Sequence, residues 1–270
     1  MSTTTANVTP DVLTTHDRPL PPRIPFTRIL RVELRKMFDT RSGFWLMASV
    51  VVLSVIATVA TLVFVDAEDL TYEHFASAVG FPMTVILPII AILAVSSEWS
   101  QRTALTTFTL VPHRGRILAA KSIVAVAVGV VSMLIAGVVG AVGTVIGSAI
   151  AGVDPVWNVS VSEFSHIVLA NEVGMLMGLM LGIVLRNSPG AIVAYFVYSF
   201  VLPGASSALA GTQQWWADNG PWLDLNWASM RLFEASLTGE MWAQLATSAV
   251  LWLLIPLAIG TRALLRSEVK

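Results

Sequence analysis

The sequence predicts an all-α membrane protein with six transmembrane helices, an N-terminal amphipathic interfacial helix and both termini in the cytoplasm. The first observation is composition: 55% of the 270 residues are hydrophobic and 12% are charged, about half the charged fraction of a soluble domain. The second is that the apolar residues form six stretches, each close to the roughly 20 residues with which a helix crosses the hydrocarbon. These spans are Gly43–Val65, Phe75–Ser97, Ser122–Ile150, Phe164–Leu185, Ala191–Ala210 and Trp242–Leu264.

The distribution of basic residues predicts the orientation. Of the 16 Lys and Arg residues, all except Arg231 lie before span one, between spans two and three, just after span four or at the end of span six. Most of the acidic residues lie on the opposite connections. Because basic connections stay in the cytoplasm, both termini are expected there.

The chain divides into three regions. Residues 1–24 are polar, contain several prolines, lack the apolar core of a signal peptide and are predicted to be a disordered cytoplasmic tail. Residues 25–41 place apolar side chains on one face and arginines on the other, which favours a helix lying on the membrane surface. Residues 43–270 hold the six spans, with a basic cytoplasmic elbow at 98–116 and an external segment at 211–239 whose tryptophans favour the membrane–water boundary.

Two isolated acidic residues stand out. Glu33 falls inside the apolar face of the interfacial helix. Its carboxylate either snorkels or pairs with a neighbouring Lys or Arg, as is common on helices, or it contacts a soluble partner. Glu172 lies near the middle of span four beside Asn171. A charge at this depth costs roughly 3 kcal/mol on insertion scales, so it is expected to face protein or water. Glu172 either makes a structural hydrogen bond to a neighbouring helix or contacts a cationic substrate or a proton.

Proline and glycine predict where the helices bend and touch. Pro82 and Pro88 lie inside span two, where proline kinks a helix and frees a backbone carbonyl. Gly174, Gly178 and Gly182 in span four are four residues apart and expose bare backbone along one stripe, which allows close approach of another helix. Packing within the chain is the favoured interpretation, and a dimer contact is the alternative.

The residue types present exclude several kinds of chemistry. The phosphate-binding loop requires a glycine directly before its Lys-Ser pair, and the pair Lys121-Ser122 has none there. The chain has no cysteine and only four histidines, and it offers no paired catalytic groups inside a span. We therefore expect no enzymatic activity, no catalytic residue and no metal or cofactor in this chain, and nothing in its net charge indicates nucleic-acid binding.

The elbow and the topology together resemble a known family. Glu98 ends span two, a threonine-rich stretch with interleaved apolar residues follows, and Pro112 precedes a basic run into span three. With the interfacial helix and six spans, this arrangement is similar to the permease subunits of ABC type-2 exporters over nearly the whole chain. Arg102 departs from the family, in which a glycine commonly precedes the first threonine. The matching positions are Glu98, Thr103, Thr106, Thr107, Pro112, Arg114, Arg116 and Lys121.

The resemblance implies a mechanism in the bacterial plasma membrane. A separate cytoplasmic ATPase subunit would bind ATP and Mg, dimerise and push on the elbow and the N-terminal helix, while two permeases, identical or homologous, form the substrate path between them. The implied coupling residues are Glu33, Glu98, Arg102, Thr103, Thr106, Thr107, Pro112, Arg114 and Arg116. The candidate path residues are Phe81, Met83, Ile86, Glu172, Tyr195, Tyr198 and Phe200. A bulky lining would suit hydrophobic or amphipathic cargo such as a drug, a lipid or a peptide.

Two other functions remain open at this point. A secondary transporter driven by an ion gradient is expected to carry paired broken helices and several ionisable residues at the midplane, and this chain offers only Glu172. A membrane scaffold or immunity protein would bind a partner and transport nothing, so it would tolerate loss of ATPase motion.

Overall fold

The computed structural model describes residues 24–100, 114–234 and 236–266, and these form nine longer helices and two single-turn 3-10 helices, Ala67–Asp69 and Arg231–Phe233. Six of them are long and apolar enough to cross a membrane, which confirms the predicted number of spans. Helices α6 and α9 each contain one π-helical turn, Val197–Val201 and Val250–Leu254. The helices are α1 (Phe26–Asp39), α2 (Arg41–Phe64), α3 (Tyr72–Ser100), α4 (Arg114–Ala151), α5 (Val161–Leu185), α6 (Ser188–Thr212), α7 (Gln214–Leu223), α8 (Leu225–Met230) and α9 (Gly239–Arg266).

Helix α3 lies at the centre of the bundle and packs against α2, α4 and α5. In the most apolar stretches of α3, α4 and α5, 50–56% of the residues are buried within the chain. The corresponding shares in α2, α6 and α9 are 11–22%. The bundle therefore has an inner group of three helices and an outer group of three.

The glycine stripe of α5 packs against the proline-containing part of α3. A Cβ atom added at Gly178 would lie 2.6 Å from the carbonyl oxygen of Pro88, and one at Gly182 would lie 3.1 Å from that of Ile92. Only glycine permits two backbones to approach so closely. The interpretation of this stripe as packing within the chain is confirmed.

Pro88 also explains a link between α3 and α6. Proline has no N–H, so the carbonyl of Thr84, four residues earlier, loses its helical donor. The hydroxyl of Tyr195 donates to this carbonyl at 2.8 Å. A buried carbonyl without a donor is costly in lipid, and the tyrosine therefore completes the hydrogen bonding of the kinked helix.

A tight turn joins α5 and α6 into a hairpin. Arg186 ends α5 in the left-handed region with φ 52°, and the side chain of Asn187 accepts a hydrogen bond from the backbone N–H of Gly190 at the start of α6. The hydroxyls of Ser96 and Ser188 lie 2.8 Å apart and connect the ends of α3 and α6. The start of α6 is thus held by its own cap and by a contact with α3.

The tryptophan-containing segment after α6 folds into the short helices α7 and α8. The indole N–H of Trp216 donates to the Ser206 hydroxyl at 3.0 Å, and the carboxylate of Asp224 caps the start of α8. Leu225 and Ala228 of α8 are buried against the bundle. The predicted external segment is therefore a structured part of the protein.

Candidate functional site

Glu33 lies in a buried cluster of charges where α1 meets the base of α4. Its Oε2 accepts from Lys121 Nζ at 2.6 Å, and its Oε1 accepts from Lys36 Nζ at 2.9 Å. The Glu33 and Lys121 side chains are each only 6% exposed. Of the two interpretations of Glu33, pairing with a basic residue is confirmed, and one of the two partners comes from a helix far along the sequence.

The buried face of α1 explains how Glu33 reaches α4. Ile29 and Glu33 are four residues apart, so they lie on the same face of the helix, and both are buried. Leu34 and Phe38, which the helical pattern grouped in the same broad apolar arc, are exposed. The arc is therefore divided between a side that packs on the bundle and an exposed side.

A second contact ties the start of α1 to the base of α4. Arg116 Nη2 donates to the backbone carbonyl of Ile24 at 2.9 Å. The same guanidinium lies 6.0 Å from the centroid of the Phe26 ring, within the range of a cation–π contact. Arg116 and Lys121 together hold α1 at two points about five residues apart on α4.

The remaining residues predicted for coupling lie at the edge of the described structure or beyond it. Glu98 belongs to the last turn of α3, and Arg114 is the first residue of α4. Lys121 follows Arg114 by seven residues, about two helical turns. The other predicted coupling residues lie outside the described ranges: Arg102, Thr103, Thr106, Thr107 and Pro112.

The residues predicted for the substrate path do not share one environment. Phe81 and Phe200 are exposed, at 69% and 55%. Met83, Ile86 and Tyr195 are buried, the first two in the packing around α3. Among these candidates, only Phe81, Phe200 and the half-buried Tyr198 present side-chain surface with which a single chain could line a path.

Glu172 is buried in the seam between α4 and α5. Both of its carboxylate oxygens lack a hydrogen-bond partner in the described structure, and so does the amide oxygen of the adjacent Asn171. Gly129 of α4 faces the carboxylate and leaves room for it, since a Cβ there would collide with Oε1. Glu172 is thus buried within one chain, between α4 and α5. It does not lie on the exposed faces of α3 and α6 that carry Phe81 and Phe200.

Sequence reasoning did not connect Lys121 with Glu33. A signal was available, because Lys121 enters span three next to a long apolar run and a lysine at such a position needs a partner. Glu33 was one of two acidic residues embedded among apolar residues, with Glu172. Glu33 and Lys121 lie 88 positions apart, and no helical periodicity joins residues at that distance. In the described ranges, no group of three or more His, Asp or Glu side chains is placed to hold a metal ion.

Comparison with known proteins agrees with this architecture. The family model described as ABC-2 family transporter protein matches residues 29–202, from α1 into the second half of α6 and well over half of the chain. No curated protein matches the chain. The matched region contains the Glu33–Lys121 pair and the glycine–proline packing of the inner helices, and the chain belongs to the ABC-2 transporter family as a multi-pass membrane protein.

Proposed function

We propose that the chain is the transmembrane permease subunit of an ATP-driven exporter, works as a dimer and is moved by a separate cytoplasmic ATPase that binds ATP and Mg. Family membership supports the permease role. The observation that carries the coupling is the buried Glu33–Lys121 pair, because it joins the N-terminal helix to the helix that follows the elbow. Both termini are cytoplasmic in this proposal, and the membrane is the bacterial plasma membrane.

The proposed motion follows the covalent chain and its contacts. The elbow continues directly into α4, so a push on the elbow displaces the base of α4. The pair of Glu33 with Lys121 and the contact of Arg116 with Ile24 carry this displacement to α1. Helix α1 ends at Asp39, and α2 begins at Arg41. The ATPase cycle would thus move α1, α2 and α4 as one body.

The outer helices supply the surfaces that a second permease copy or a homologous permease would contact. The low internal burial of α2, α6 and α9 leaves apolar faces that lipid or a partner covers. Phe81 on α3 and Phe200 on α6 are large and exposed, which suits a path for hydrophobic or amphipathic cargo between two copies. Glu98, Thr103, Thr106 and Thr107 would form the surface on which the ATPase pushes.

The coupling can be tested by charge exchange in the transporter purified with its ATPase. Glu33→Gln and Lys121→Gln are each expected to lower the amount of cargo moved per ATP hydrolysed by about tenfold, because each removes the buried ion pair that joins α1 to α4. The double exchange E33K/K121E restores opposite charges between α1 and α4 and should recover part of the coupling, since it also places a second lysine beside Lys36. Asp39→Asn breaks the exposed Arg35–Asp39 pair on the same helix and is the matched control, with little effect expected.

A second experiment tests the elbow itself. The chain has no cysteine, so a cysteine introduced at Thr106 reports that position alone. Crosslinking from it to a copurifying ATPase subunit is the expected result. Efflux that needs no ATPase and follows an ion gradient would instead identify a secondary transporter. If the introduced cysteine reacted only with a reagent added outside the cell, the elbow would lie outside and not in the cytoplasm.

A further inference from the structure

We propose that the cytoplasmic end of α9 binds an anionic phospholipid of the inner leaflet, with Arg262 and Arg266 contacting the phosphate and an apolar groove receiving one acyl chain. The proposal rests on the orientation proposed above and on no part of the coupling mechanism. It concerns a surface remote in sequence from the elbow, and it assigns a ligand to residues that the transport path does not use.

The apolar part of the groove is about as long as one leaflet of the hydrocarbon region is thick. Its volume is about 470 Å³, and residues from Leu254 to Arg266 line it. The apolar part runs from Leu254 to Leu265, about 16 Å along the helix, which is close to half of the roughly 30 Å hydrocarbon thickness. Apart from Thr261, the side chains lining it between the two ends are leucine or alanine until Arg262. All of the lining residues belong to α9, so the groove is a shallow face of this helix, and an acyl chain is the ligand that fits its length and its apolar character.

The two arginines form the polar end of the same groove. Arg262 and Arg266 are four residues apart, so they share one face of α9, and both are exposed. Gly115 at the base of α4 lies beside Leu265, with 3.9 Å between the leucine Cδ2 and the position of a Cβ. The groove therefore ends beside the base of α4, at the level where the charge pattern places lipid headgroups.

Neither of the two cytoplasmic carboxylates whose side chains the structure describes is a counterion for these arginines. Among the carboxylates that the structure describes on the cytoplasmic side, Glu33 is buried and paired with Lys121 and Lys36. Asp39 is paired with Arg35. A second copy of the chain would bring the same two paired carboxylates, so neither of them would offer these arginines a charged partner. Lipid phosphate is abundant at this depth, and the guanidinium group binds phosphate through two parallel hydrogen bonds.

The test is native mass spectrometry of the purified full chain, together with any subunit that copurifies, after addition of phosphatidylglycerol or phosphatidylcholine. Wild-type protein is expected to retain phosphatidylglycerol and to prefer it over phosphatidylcholine. The variant R262Q/R266Q should retain about tenfold less, since each basic residue contributes separately to anionic-lipid binding. The variant R28Q/R31Q removes the same charge from exposed positions on α1 and should lower retention clearly less than R262Q/R266Q, since α1 is expected to attract anionic lipid through its charge alone.

A second variant keeps the test decisive if the double arginine variant does not fold. Ala258→Trp fills the exposed groove without changing charge and should also reduce phosphatidylglycerol retention. Three results would overturn the proposal. The first is equal lipid retention in R262Q/R266Q and wild type, and the second is displacement of the lipid by inorganic phosphate alone. The third is that the variants lose a dimer that the wild type forms and still retain the lipid. None of these measurements involves ATP, so their outcome is independent of the proposed coupling.

Discussion

The inner helices α3, α4 and α5 and the outer helices α2, α6 and α9 differ in packing much more than in hydropathy. Helix α2 has a mean hydropathy of 2.5 and only 17% internal burial, whereas α5 has a mean hydropathy of 2.0 and 56% internal burial. Lipid tails are as apolar as leucine, so hydrophobicity does not draw one span toward another. Small residues and hydrogen bonds, rather than apolar content, therefore decide which spans form the centre.

The largest loss of stability is expected from a bulky side chain at the contact between the inner helices α5 and α3. Gly178→Leu would place a side chain against the backbone of Pro88, where a Cβ already lies too close. We expect a loss of about 3 kcal/mol or more of unfolding free energy, since overpacking at a rigid backbone is poorly relieved. Thermal unfolding of the purified protein in detergent measures it.

Gly204→Leu is the matched control for that experiment. Gly204 lies on α6, and no atom lies within 4 Å of the position that its Cβ would occupy. The same change of residue in an outer helix should therefore leave the melting temperature almost unchanged. Equal destabilisation by both variants would contradict the division into inner and outer helices.

Substitutions in the Glu33–Lys121 pair test whether the contact between α1 and the inner helix α4 contributes to the free energy of unfolding. Glu33→Gln removes one partner of a buried pair and is expected to lower the free energy of unfolding by about 3 kcal/mol. Arg35→Gln breaks an exposed pair on the same helix and should cost less than about 0.5 kcal/mol. Chemical unfolding followed by tryptophan fluorescence measures both, and similar losses in the two variants would show that the burial of Glu33 does not matter.

Tyr195→Phe tests the contact between the inner helix α3 and the outer helix α6. Removing the hydroxyl leaves the carbonyl of Thr84 without this donor, and a loss of about 1 kcal/mol is expected. Combining it with Pro88→Ala should reduce the loss, because alanine restores the helical N–H to the same carbonyl. A double-mutant cycle of melting free energies measures the coupling, and strict additivity would show that Tyr195 does not act through this carbonyl.

The smallest effect is expected at Glu172. Glu172→Gln keeps the shape that fits beside Gly129 and removes a carboxylate whose oxygens have no partner in the described structure. Stability should change by less than about 1 kcal/mol, and transport should be retained if the residue serves only packing. Normal folding with lost transport would assign Glu172 a direct part in transport.

The sequence predicted the features that depend on local pattern. Six apolar stretches predicted six spans, and four-residue spacing of Gly174, Gly178 and Gly182 predicted a close contact, because periodicity alone determines which residues share a helix face. Pro88 predicted a freed carbonyl. Its donor, Tyr195, was assigned instead to the substrate path, since nothing in a linear sequence shows that a span-five hydroxyl reaches span two.

The candidate site was predictable only in part, for the same reason. Glu33 was recognised as unusual from its place on a helical face, but its partner Lys121 lies on another helix. The placement of Met83 and Ile86 in the buried core also could not be read from their helical positions, because a span presents similar apolar residues to lipid, to a path and to its neighbours. Tertiary packing decides among these three surroundings.

The length of α4 has a consequence for how motion crosses the membrane. Its apolar span covers 37 residues, about 55 Å of helix, and no proline interrupts it. A stiff rod of this length converts a small rotation at one end into a large excursion at the other: a tilt of about 5° displaces the far tip by about 5 Å. In the proposed orientation, a modest change on the cytoplasmic side would thus be amplified at the opposite surface of the bilayer.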